Sequence, residues 1–265
     1  MTAVNPVRLR FQIEELITSF TMPQKFHRQL TDMFGFYANR VLKFGDSSQP
    51  QPFIPMYHLP DPVMRQLKLD LNSHITEDPK SSFKLADELW QDDFFEVRQL
   101  AIYILDSIPV NDPEPILKRL KDWLVPELDQ ILTTELLSIG LRNLHSQFSQ
   151  AWETFIETFL SNENPKMVAL GLEGLQSSLK NPAFDNLPAV YRMVSPLIRN
   201  PHPLFFNALL NMMEALVNES PKETAYFIRQ AMAVSDSPGT ERIIKNCLQY
   251  FPKEIQQELK LAIKK

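Results

Sequence analysis

A single cysteine, Cys247, stands in 265 residues, which excludes an internal disulfide framework and any cysteine-based zinc site. Glycine is scarce as well, at six residues against twenty-one prolines, so the chain favours short rigid connections over hairpin turns. It carries no G-x-S-x-G elbow and no glycine-rich phosphate loop. The five histidines, at 27, 58, 74, 145 and 202, show neither i, i+4 pairing nor an acidic companion at ligand spacing, so no metal and no cofactor is expected. No window reaches the roughly 18 uncharged apolar residues that a membrane span requires. Arg8, Arg10, Glu14 and Glu15 interrupt the region where a secretion signal needs its apolar core, and the expectation is a soluble cytoplasmic protein. An excess of positive charge is missing too. With 27 basic and 32 acidic residues the chain is net −5, which is not the usual footprint of a nucleic-acid binder.

What is present is helical periodicity, almost without interruption. Leu9, Ile13, Leu16 and Ile17 share one face, and Phe26, Leu30, Met33, Phe34, Tyr37 and Val41 a second. The stretch Leu85 to Pro109 reads as a helix, a polar turn at Gln91-Asp92-Asp93, and a second helix packed back on the first. In that second helix Val97, Leu100, Ala101, Ile104 and Ile108 recur at steps of three and four, until Pro109 ends the run. Further helices are predicted over 81–91, 94–107, 113–124, 128–144, 149–161, 165–179, 186–198, 203–217, 221–234, 239–250 and 252–264, and another opens at Pro62 with Asp61 as its N-cap. No run alternates over a strand's length, so the class is all-α.

The helices pair and the pairs repeat. Small residues at the centre of each second helix fall at Ala101, Gly140, Gly171, Ala208 and Cys247, spaced 39, 31, 37 and 39 apart, a mean of 36.5. Polar or proline turns precede them at Asp92-Asp93, Asn164-Pro165, Asn200-Pro201 and Ser237-Pro238. This pattern predicts a right-handed α-solenoid of HEAT- or armadillo-like hairpins. The expected organisation is a single helical-repeat domain over 1–265. Residues 1–60 supply N-terminal helices and a proline-rich loop, and 61–265 the array. The loop, 45–60, is either a lid on the first helices or a binding loop.

Few residues invite chemistry. Trp90 and Trp152 sit in or beside apolar stripes, where core packing outweighs base stacking as a role, and Cys247 reads as a small buried residue. One helix of each pair lines the concave face of a curved repeat array. On the second helices the basic residues are Arg98, Arg142, Lys166, Arg242 and Lys245, against seven acidic ones, Glu135 among them. That mixture should hold a duplex weakly, since phosphate affinity comes from clustered cations that release counterions.

The stretches PMYHLPDPVMRQL (55–67) and FKLADELWQDDFFEVRQLAIYIL (83–105) resemble the N-terminal half of the DNA alkylation repair (AlkD-type) family, with Leu89, Trp90, Glu96 and Ala101 at matching places. The helical rhythm continues to match through about Pro221. The resemblance implies a HEAT-like solenoid cradling duplex DNA, whose active members are glycosylases that excise alkylated bases without flipping them. In those members an aspartate stabilises the developing charge on the sugar, tryptophans flank the lesion, and an arginine holds the backbone. Carried onto this chain, the first tryptophan falls on Leu128, the aspartate on Leu132, the arginine on Ala169 and the later tryptophan near Asn211. A slip of one helical turn brings Asp129 to the acid's place. The resemblance therefore implies a non-catalytic relative that binds protein or nucleic acid on its concave face. The alternatives are a glycosylase working through Asp129, and a DNA-structure binder resting on the five cations above.

Overall fold

The computed structural model describes residues 4–38, 52–109, 111–139, 144, 147–181, 184, 186–234 and 238–263. Gly140, Arg142, His145, Ser237 and the 45–51 part of the proline-rich loop lie outside the described residues. Among those described there is no strand, and the chain is all-helical. The α-helices are α1 (Pro6–Ile17), α2 (Pro23–Tyr37), α3 (Asp61–Glu77), α4 (Pro79–Trp90), α5 (Phe95–Ser107), α6 (Glu114–Trp123) and α7 (Gln130–Ile139). They continue as α8 (Ser149–Leu160), α9 (Pro165–Leu179), α10 (Leu187–Arg199), α11 (Phe206–Glu219), α12 (Pro221–Val234), α13 (Pro238–Cys247) and α14 (Lys253–Ile263).

The prolines explain much of this punctuation. Pro6, Pro23, Pro62, Pro79 and Pro165 all lie at the first or second position of a helix. A missing N–H costs nothing there, and φ is already helical. Side-chain caps complete several starts: Asn5 Oδ1 accepts from Val7 and Arg8 N–H, Asp78 from Ser81, and Asn164 from Lys166. Several predicted starts are displaced, among them 81 to Pro79 and 128 to Gln130. Asp61 is the first helical residue rather than the cap, so its charge acts on the helix dipole instead of closing the first turn. The predicted start at 203 is a 3₁₀ turn, Pro203–Phe205, before α11 proper.

Packing divides the chain into two units, residues 1–116 with 127–139, and 117–126 with 140–265. Within the first, α1 packs on α2 and α3, α2 on α4, α3 on α4 and α5, and α5 on α4 and α7. The odd-numbered helices thus lie side by side, with α2 and α4 behind them. Val63, Leu67, Leu71 and Ile75 of α3 meet Leu85, Ala86 and Leu89 of α4 and Val97, Leu100 and Ile104 of α5 in the core. Within the second unit α8 packs on α9, α9 on α11, α10 on α12, α11 on α12 and α13, and α12 on α14.

The small residue predicted at the centre of α9 is used for close approach. A Cβ placed on Gly171 in α9 would stand 2.8 Å from Leu160 Cδ2 and 2.9 Å from Phe159 Cβ in α8. Leu160 Cδ2 can swing away, but Phe159 Cβ is fixed to its backbone. Gly171→Ala therefore sets a helix-propensity gain of about 1 kcal/mol against overpacking of about 1–3 kcal/mol. Gly171→Val adds bulk with no such gain, and it is expected to lower stability by about 2 kcal/mol or more in urea unfolding. An unchanged midpoint for the valine variant would show that α8 and α9 do not meet so closely.

Candidate functional site

The first unit contains a clamp built from two buried carboxylates. Glu96, in the first turn of α5, is only 6 % exposed. Its Oε2 accepts the Tyr57 N–H at 3.0 Å and its Oε1 the Leu59 N–H at 3.4 Å. Between those donors His58 takes φ of 53°, the left-handed region that a side chain rarely enters. The Glu96 carboxylate thus holds both sides of a turn that would otherwise relax. The Tyr57 ring stacks on Phe94 at 4.2 Å between centroids and meets the edge of Phe34, while Pro55 C=O accepts from Phe95 N–H. The described part of the proline-rich loop is a strap packed on the starts of helices.

Asp129 is the second carboxylate, 8 % exposed. It lies one residue before α7 and caps it: Oδ1 accepts from Ile131 N–H at 2.9 Å and Leu132 N–H at 3.4 Å. Oδ2 accepts the Phe53 N–H at 2.8 Å, tying the strap to α7. Both oxygens are committed to backbone donors. Phe53 itself projects outward, 97 % exposed.

The other positions singled out in the sequence do not converge on Asp129. Leu132 is fully buried core, Leu128 and Ala169 are half-buried, and Asn211 is exposed, its carbonyl accepting from Gln176. Trp90, Trp123 and Trp152 are all buried. Arg98 donates to the Asp92 carbonyl, lies 3.8 Å from Asp93 and covers the Trp90 ring. Arg242 stands 4.7 Å over the Phe206 ring, Lys245 pairs with Glu241 in its own helix, and Lys166 is exposed. Arg98, Arg242 and Lys245 are thus engaged by the chain itself. Cys247 is buried, and burial pushes its thiol up to about 12, far from a nucleophile's range. Among the described residues no group of three His, Cys, Asp or Glu side chains is placed to hold a metal ion. None of the described helices is long and apolar enough to cross a membrane.

One cluster escaped the sequence reading. Beside the strap, α3 and α5 flank a cavity of about 710 Å³, lined by His58, Arg65, Lys68, Gln99 and Tyr103 among others. Gln99 Nε2 donates to Glu135 Oε1 at 2.8 Å, and Tyr103 Oη donates to the Lys68 carbonyl at 2.9 Å. Burial lowers the Lys68 ammonium's pKa, against the Glu135 charge that raises it. Burial likewise holds the Glu135 carboxyl above its ordinary range, against Gln99 and Lys68 that lower it. Desolvation thus outweighs attraction in both partners. Gln99 and Glu135 are 36 residues apart, and Lys68 and Tyr103 35. Separations of 33 to 35 return in the second unit, for Asn186–Glu153, Tyr191–Thr224, Arg192–Glu157 and Gln176–Asn211. The repeat period was therefore the one signal in the sequence able to pair these residues.

A family model described as DNA alkylation repair enzyme matches residues 51–240. No curated protein and no solved structure matches the chain significantly.

Proposed function

The chain belongs to the DNA alkylation repair enzyme family, and from that premise we propose that it serves DNA repair by binding a partner, not by excising bases. Helices that pack on the next-but-one neighbour, bonded at separations of 33 to 36, support an α-solenoid of HEAT-like hairpins with the partner on its concave face. The observation that carries the non-catalytic reading is the commitment of Asp129. A carboxylate that stabilises an oxocarbenium-like sugar must lie open to the reacting carbon, and Asp129 is 8 % exposed. The oxygens of Asp129 accept three backbone N–H groups instead. Of the two partner classes, protein is favoured over duplex DNA, because Arg98, Arg242 and Lys245 already have partners within the chain.

Incubation with duplex DNA carrying a methylated purine tests the reading. Abasic sites are expected to stay at background for the native chain and for Asp129→Asn alike. Asp129→Ala is expected to lose about 1–3 kcal/mol of stability, from the lost cap and the freed strap. Base release that vanishes with Asp129→Asn overturns the proposal in favour of a glycosylase. Tight duplex binding that weakens steeply with added salt makes DNA the partner instead.

A further inference from the structure

We propose that the cavity beside the strap is a carbonyl site, in which the Lys68 amine forms an imine with an aldehyde. The inference goes beyond the binding role above and does not depend on it. It stands on what the cavity brings together. Lys68 lines it at mid-helix, its Nζ 5.1 Å from the centroid of the Tyr103 ring, which lines it too. Phe95, Met64, Leu69 and Met56 supply apolar wall for the body of a ligand, and Gln99 and Tyr103 supply polar groups. A volume of about 710 Å³ is that of a small-ligand pocket. A lysine amine set against apolar wall is the arrangement that favours attack on carbonyl carbon, because the free base, not the ammonium, is the nucleophile.

The charged groups around Lys68 are consistent with this. Glu96 lines the cavity, but its charge is directed to the N–H groups of Tyr57 and Leu59. Asp61, Arg65 and His58 line it as well, and Glu135 acts on Lys68 from α7. Burial favours the neutral amine, and Glu135 and the face of the Tyr103 ring moderate that effect.

The reaction balances without any oxidant or reductant. Nζ attacks the carbonyl carbon, the C–N bond forms, and the carbonyl π pair moves to oxygen. The two protons relinquished by nitrogen pass through solvent to that oxygen, which departs as water when the C=N bond closes. Two sources offer such an aldehyde: a small diffusible molecule, and the ring-opened sugar of an abasic site in DNA.

Reductive trapping on the full chain tests the proposal. Propanal is one probe and a duplex with a single abasic site the other, each with sodium cyanoborohydride and peptide mapping of the adduct. Label is expected at Lys68 ahead of the other lysines, and it is lost in Lys68→Met. Lys68→Arg keeps the cation and the stem, so it separates loss of the amine from loss of the fold. In Glu135→Gln trapping persists, but its pH profile moves to lower pH, since the charge that holds a proton on Nζ is gone. A merely structural Glu135 would leave the profile in place. Trapping with propanal alone identifies a small aldehyde as the occupant, and trapping with the duplex identifies damaged DNA. Label spread evenly over surface lysines with both probes, and unaltered in Lys68→Arg, overturns the site.

Discussion

Trp152→Ala is expected to lower the unfolding free energy by about 3–5 kcal/mol, the usual cost of deleting a large aromatic side chain from a core. Trp152 in α8 is 1 % exposed and stacks on Phe155, at 5.4 Å between ring centroids. Its indole N–H donates to Ser178 Oγ at 3.0 Å, and that hydroxyl donates to the Gly174 carbonyl. The ring therefore fills space between α8 and α9 and also satisfies a buried hydroxyl. Truncation removes the packing and the hydrogen bond from the indole to Ser178. Trp152→Phe keeps most of the volume and loses only the N–H, so about 1–2 kcal/mol is expected. The serine closes a double-mutant cycle. If Ser178→Ala costs as much in the Trp152→Phe background as in the native chain, the hydrogen bond contributes nothing. Denaturant unfolding followed by near-ultraviolet circular dichroism gives each value, and a Trp152→Ala loss below about 1 kcal/mol would contradict a close-packed junction.

The same residue shows where sequence reasoning works well. Apolar periodicity places a helix to within a residue or two, because burying one stripe is the dominant favourable term and depends on spacing alone. The starts of α8, α9 and α12 agree with the predicted 149, 165 and 221. Trp152 belonged to the core because it lay in a stripe with Phe155 and Phe159. What periodicity does not report is where a helix begins when the first residues are polar. The helix predicted from 128 starts at Gln130. That difference changes the meaning of Asp129 from an acid on a helix face to a cap whose oxygens point at backbone. The Leu132 position is core, since it sits on the buried stripe with Leu136.

The Lys68–Glu135 cluster was illegible for a different cause. Glu135 was legible as one charge among several on its helix, and nothing in the local sequence singles out Lys68. Their significance arises only when α3, α5 and α7 lie side by side, so that Gln99 reaches across to Glu135. Tertiary neighbours, not local sequence, decide how much water each keeps and hence which way its pKa moves. The family resemblance did not help, because its acid and tryptophan positions fall on other residues.

The strap provides the sharpest remaining test of how this architecture is held. Glu96→Ala is expected to cost about 2–4 kcal/mol, more than a surface substitution and close to the cost of breaking a buried charged pair. The change leaves the N–H groups of Tyr57 and Leu59 without their acceptor and removes what holds His58 at a φ of 53°. The Tyr57 ring still has Phe94 and Phe34 as neighbours, and Phe95 N–H still bonds Pro55. Release should therefore be local before it is global. Amide exchange at residues 57 and 59 is expected to accelerate in Glu96→Ala by more than the fall in global stability explains, with α8 to α14 unaffected. Glu96→Gln keeps one acceptor oxygen but turns an NH₂ toward a backbone donor, so it is expected to fall between alanine and the native chain. His58→Gly supplies the compensating change, since glycine adopts the left-handed region without cost. In a Glu96→Ala, His58→Gly double variant part of the lost stability should return. If that glycine gives no recovery, the backbone at 58 carries no strain for the carboxylate to hold, and Glu96 contributes through its charge alone.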